Sequence, residues 1–148
     1  MVDIRHRVGI KVPKEAVFEA LTTLDGIANW WTRDAKGDAS LGGNLQFYFG
    51  QPEPSAVMEV VDVKPNDRVV WRCTGGPDEW LNTRLDFVLQ TSDTETVLLF
   101  THANWKEPVE FMYHCSTKWG QFLVGLKVSL ERWTSSAFPD DLAISSWG

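Results

Sequence analysis

The chain has 148 residues, 43% hydrophobic and 23% charged, and its 14 Lys and Arg against 20 Asp and Glu give a net charge of −6. That length suits one domain with a single core, and an acidic chain with no basic block is a poor partner for phosphate backbones, which excludes a nucleic-acid binder. No apolar run approaches a membrane span, Met1 to Arg7 carry no secretory h-region, and two cysteines are too few for a disulfide framework, so a reduced cytoplasmic protein is expected.

Ile4, His6, Val8 and Ile10 alternate with Arg5, Arg7 and Lys11, which predicts a half-buried strand over Ile4 to Val12. Pro13 is suited to open a helix whose apolar period runs through Val17, Phe18, Leu21 and Leu24. Asp25-Gly26 breaks that helix, and Asp25 is placed to cap a second short one through Trp30. A polar, Gly-rich passage from Thr32 to Gly43 has room for one short strand. Leu45, Phe47 and Phe49 then share the apolar face of the next strand. Ala56 to Val63 reads as a strand in which Glu59 and Asp62 fall on opposite faces, the mark of a bulge. Lys64-Pro65-Asn66-Asp67 is a turn, after which Val69, Trp71 and Cys73 face one way. Thr74 to Glu79 is a loop. Leu85, Phe87 and Leu89 alternate in the following strand. Thr96 to Ala103 is the last strand, and its apolar run admits two registers, with either Val97, Leu99 and Thr101 or Leu98, Phe100 and His102 facing inward.

Phe111 to Trp133 is the longest amphipathic stretch. At about 100° per residue, Phe111, Cys115, Trp119, Phe122, Leu123, Leu126, Leu130 and Trp133 fall within an arc of about 120°. Lys118, Gln121, Lys127, Glu131 and Arg132 fall outside it. Tight turns between strands make the sheet antiparallel, so the class is α+β. A single domain is expected, with its core over about 3–135 and an irregular tail over 136–148 in which Phe138 or Trp147 docks on the body or on a second copy.

Val12-Pro13-Lys14-Glu15-Ala16-Val17-Phe18, Trp30-Trp31, Glu59 to Pro65, Arg68-Val69-Val70-Trp71, Thr96 to His102 and Trp119-Gly120-Gln121-Phe122-Leu123 occur in an order that resembles bacterial proteins similar to the activator of heat-shock-protein-90 ATPase, within the START-like, polyketide-cyclase-like superfamily. The resemblance covers nearly the whole chain. It implies a helix-grip fold: a seven-stranded antiparallel sheet wrapped around the C-terminal helix, with two short helices after the first strand. It also implies an apolar cavity between sheet and helix, suited to a small hydrophobic molecule. The cavity wall is then expected to comprise Trp30, Phe47, Phe49, Met58, Trp71, Phe87, Phe100, His102, Trp119, Phe122, Leu123 and Leu126. The resemblance favours the register with His102 inward. A buried neutral imidazole there has one donor and one acceptor with which to orient a ligand, and on that reading His102→Leu spares the fold and weakens ligand binding. No domain like the chaperone-docking one of the eukaryotic activators precedes this one, which counts against an activator role.

Signals for other chemistry are weak. No G-x-S-x-G elbow, Gly-rich phosphate loop or cofactor motif occurs, and Asp78-Glu79 and Asp140-Asp141 sit in polar loops. His6, His102 and Cys115 have the donor types for zinc but lack the usual short ligand spacings, so separate hydrogen-bonded side chains are the expected state. Three functions follow: a binder of a small apolar molecule, a cyclase- or hydrolase-type enzyme using the same cavity with His102 as acid or base, and a module that stimulates a chaperone ATPase. A homodimer is compatible with each, and no cofactor or metal is expected.

Overall fold

The first strand, β1 (Val2–Ile10), pairs antiparallel with β7 (Thr96–Trp105) and lies at one edge of the sheet. It stops two residues before the alternation does. Ile10 already faces Thr96, the first residue of β7, so residues 11 and 12 have no ladder partner. The Lys11 backbone N–H instead donates to Glu131 of the last helix at 2.8 Å. The computed structural model describes residues 1–148.

After β1 come α1 (Lys14–Thr22), with Pro13 just outside it, and α2 (Leu24–Ala28). The cap of α2 is Thr23, not Asp25. Thr23 has extended backbone, and its hydroxyl oxygen accepts the Gly26 N–H at 3.0 Å. Asp25 lies inside the first turn. The short strand expected in the Gly-rich passage is β2 (Ala35–Gly37). The remaining strands are β3 (Asn44–Phe47), β4 (Ala56–Lys64), β5 (Arg68–Gly75) and β6 (Arg84–Thr91), followed by β7. All pairs are antiparallel, in the order β1-β7-β6-β5-β4-β3-β2. The register of β4 against β5 shifts between Val60 and Asp62, the irregularity that Glu59 and Asp62 announce.

The last helix, α3 (Glu110–Arg132), buries Cys115, Trp119, Phe122, Leu123, Gly125 and Leu126, with Gly125 beside Trp30 and Ser136. Two ends of its expected stripe do not bury. Phe111 is only half-buried, and Trp133 leaves the helix in a left-handed conformation (φ 57°) with its side chain in solvent. Along the free edge of the sheet, Lys127 donates to the Gly9 carbonyl and pairs with Glu131 at 2.7 Å. Together with the bond from Lys11, just past the end of β1, to Glu131, this occupies backbone groups along that open edge. A seven-stranded antiparallel sheet holding a long helix on its concave face is the helix-grip architecture expected from the sequence.

Candidate functional site

Under α3 the side chains divide into a filled core and a hollow beside it. The strands point Leu45, Phe47, Met58, Trp71, Leu85, Phe87, Leu98 and Phe100 inward, and all are almost wholly buried. Their rings meet closely: Trp71 and Phe87 at 5.0 Å, Phe87 and Phe100 at 5.2 Å, Phe100 and Trp119 at 4.8 Å. That half of the interior is solid.

A cavity of about 430 Å³ lies at the other end, between the start of α3, the loop before β6, and the C-terminal tail. Trp31, Phe49, Trp80, Trp119, Phe122 and Phe138 form its apolar wall. The Trp80 and Trp119 rings stack at 5.9 Å, and the Trp31 ring lies 5.1 Å from Trp119. The volume falls within the usual range for small-molecule sites, about 300–1,000 Å³.

Of the twelve residues expected on the wall, Phe49, Trp119 and Phe122 are there. Trp30, Phe47, Met58, Trp71, Phe87, Phe100, Leu123 and Leu126 are packed into the core away from the cavity, because the large rings of β5, β6 and β7 fill the space that a deeper cavity would need. Phe49 lies beyond the end of β3, where the chain turns toward Gly50, and its ring meets Phe138 at 5.2 Å. Trp31, which reads as core from its place after α2, is buried and also reaches the wall.

His102 faces inward, opposite Ile4 of β1. It is not on the wall, and both of its nitrogens are taken. The Trp119 indole N–H donates to Nδ1 at 3.1 Å. An indole has no acceptor, so Nδ1 is unprotonated and Nε2 carries the hydrogen. Nε2–H then donates to the Thr83 hydroxyl oxygen at 2.8 Å, and that hydroxyl donates to the Trp80 carbonyl. Burial holds the ring neutral, with its pKa pushed down to about 3 although the Asp3 charge pulls the other way. No polar atom is left for a ligand, and the ring is a poor general base. His102 is hydrogen-bonded to Thr83 and to Trp119, and Trp119 is one residue of the wall.

The zinc constellation does not assemble either. Neither ring nitrogen of His102 has a free lone pair, and His6 Nε2 is 3.3 Å from the Ser116 hydroxyl. Cys115 does reach the cavity, but burial pushes its thiol up to about 12, so it is neither a thiolate ligand nor a ready nucleophile near neutral pH. The Trp80 indole N–H works against that rise, yet it has no partner of ordinary hydrogen-bond geometry. His114 and Ser145 are 2.8 Å apart, exposed, and no carboxylate orients the other ring nitrogen.

The tail forms one side of the cavity. The Phe138 N–H donates to the Trp31 carbonyl at 3.0 Å, the Arg33 N–H donates to the Phe138 carbonyl at 3.1 Å, and Arg33 pairs with Asp140. Trp147 lies against Phe111 at 5.9 Å and His114 at 5.8 Å. Both tail aromatics therefore dock on the body. The double substitution of Phe138 and Trp147 to Ala will speed tryptic release of residues 133–148 by cleavage after Arg132, while the melting of the body changes little. An unchanged cleavage rate would show that neither ring holds the tail.

Among the wall residues that sequence reasoning missed are Trp80, Lys118, His114 and Asp141. Trp80 had a signal: a Trp at the end of a polar Gly-Pro loop, where a single turn of 3-10 helix (Asp78–Trp80) now aims it inward. Lys118 had none, since it lies off the apolar arc and takes its meaning from residues more than twenty positions later.

A helix gripped by an antiparallel sheet, with an aromatic cavity at one end, defines a START-like domain. Residues 11–131 match the family described as Activator of Hsp90 ATPase homolog 1-like protein, and the chain belongs to that family. No curated protein sequence matches it. The structure is similar to the Aha1 dimer from Colwellia psychrerythraea at 42% identity and a TM-score of 0.81, covering 89% of this chain and 98% of that one. It also resembles CalU16 from Micromonospora echinospora (21% identity, TM-score 0.77, covering 97% and 74% of the two chains). The protein SSP2350 from Staphylococcus saprophyticus is similar at 20% identity and a TM-score of 0.76, covering 90% and 95%. These two lower identities establish likeness of fold alone. No helix of the chain is long and apolar enough to cross a membrane.

Proposed function

We propose that this protein is a cytoplasmic binder of a small apolar molecule, held between the N-terminal half of α3 and the C-terminal tail. The observation that carries the reading is the cavity itself: six large aromatic side chains line a partly open space of about 430 Å³ beside a closely packed core. Apolar hydration favours filling such a space. The groups beside it lack an activated nucleophile, which favours binding over the cyclase or hydrolase alternative. Native mass spectrometry of the protein taken from its own host should show a bound small molecule that is lost when Trp119 is changed to Ala. Recovery of the bare chain, together with no rise in anilinonaphthalene-sulfonate fluorescence on mixing, would rule the reading out.

Two further readings have an observation behind them. Stimulation of an Hsp90-type ATPase draws on the family description, and co-purification of a chaperone with the tagged protein would favour it. Self-association draws on the dimeric relative from Colwellia psychrerythraea. We expect this chain to sediment as a homodimer, and a monomer mass across the micromolar range would exclude that.

A further inference from the structure

Lys118 is the one cationic group on the wall of the cavity, and its side chain is only 14% exposed. Its ammonium has three protons and three acceptors. Gln121 Oε1 takes one at 2.7 Å, Asp141 Oδ2 one at 2.7 Å and the Leu142 carbonyl one at 3.0 Å. Only the first acceptor belongs to the body. The other two belong to the tail, and Asp141 is itself nearly buried, at 11%. The Lys118 nitrogen also lies 5.0 Å above the Phe122 ring, so cation and apolar wall are contiguous.

A poorly solvated ammonium beside an aromatic cavity is costly unless an anion sits against it. With the tail docked that anion is Asp141. A molecule that enters the cavity and shifts the tail removes Asp141 and the Leu142 carbonyl together. The donors it then meets are those of Lys118. Donors freed in this way call for acceptors on the ligand, and the partly buried positive charge calls for a negative one. Neutral or cationic ligands would leave the ammonium without a counter-charge.

We infer that the ligands of this cavity are apolar carboxylic acids, whose carboxylate takes the place of Asp141 on Lys118, and that the tail competes with them for that contact. The inference rests on the apolar-ligand reading above and adds the charge of the ligand and the means by which the tail is displaced. Fatty acids and aromatic acids share this chemistry; chain length and ring content separate them.

Isothermal titration calorimetry with decanoate and decanol near neutral pH tests it, because the two share a chain length and differ in the head group. The wild-type protein should bind decanoate about tenfold more tightly than decanol, the ratio expected for one charge-assisted hydrogen bond. Lys118→Met should bring that ratio to one or below. Asp141→Asn removes the competing anion and keeps the size of the side chain, so it should raise the ratio. Using the ratio cancels any general loosening of the tail in either variant. Equal binding of the two probes by the wild type, or a ratio unchanged in Lys118→Met, would overturn the inference while leaving the apolar-ligand reading standing. If an aromatic acid such as 1-naphthylacetate binds and decanoate does not, the inference holds with the aromatic class selected. If neither acid nor alcohol binds, both readings fall.

Discussion

A chain ending at Pro108, which keeps all seven strands and loses α3, will give no cooperative thermal transition. Trp119, Phe122, Leu123 and Leu126 are each at least 95% buried in the full chain. Burying such side chains is worth roughly 1.5–3 kcal/mol apiece, so these four contribute about 6–12 kcal/mol as an upper estimate. Whole domains of this size are stable by about 5–15 kcal/mol. The loss is also two-sided. Without α3 the inward rings of Trp71, Phe87 and Phe100 face water, and β1 loses the contacts from Lys127 and Glu131 that occupy its edge. Such a sheet has an exposed apolar face and an open edge, and aggregation is the expected fate. A sigmoidal melt from the shortened chain, with protected amides in the strands, would show that the sheet and the two short helices suffice.

His102→Leu will destabilise the fold, contrary to the expectation from sequence that only ligand affinity would fall. Leu keeps most of the volume but accepts no hydrogen bond. The Trp119 indole N–H would then be buried without an acceptor, and the Thr83 hydroxyl would lose the donor it now receives. An orphaned buried donor costs about 1–3 kcal/mol, and we expect a loss of that size near neutral pH.

The same substitution has a pH signature. In the folded protein burial lowers the His102 pKa to about 3, while in the unfolded chain it titrates near its ordinary value of about 6.5. Between those values the unfolded state binds the proton and the folded state does not. The stability that this ring permits is therefore present above about pH 6.5 and declines as pH falls toward about 3, by up to about 1.4 kcal/mol per pH unit. Leu has nothing to protonate. The gap between wild type and variant, measured by urea unfolding, should shrink by roughly 2 kcal/mol between neutral pH and about pH 5. A gap that stays constant over that range would show that His102 is not a buried neutral ring.

Period and punctuation carried most of the fold in plain sight. The alternation of Ile4, His6, Val8 and Ile10 made β1 an amphipathic strand, and the 3.6-residue recurrence of Cys115, Trp119, Phe122, Leu123 and Leu126 fixed the buried face of α3. Both patterns follow from backbone geometry, which repeats locally and so is readable locally. The sequence therefore determined the architecture, while the inward register of His102 came from the family resemblance and the choice between body and second copy for the tail aromatics came from the tertiary structure. The sequence did not determine which apolar residues fill the core and which face a cavity. Trp71 and Trp119 look alike in sequence; one is enclosed by Phe47, Phe87 and Trp31, while the other has unfilled space on one side. That difference depends on how the volumes of side chains from six elements add up in three dimensions, and no periodicity records it. Nor could the sequence give the roles of His102 and Lys118. The first depends on Thr83 and Trp119, the second on Asp141 and Leu142, all brought into reach only when sheet, helix and tail close on one another. A hydrogen bond is decided by direction and distance at the level of tenths of an ångström, and the tertiary structure alone supplies them.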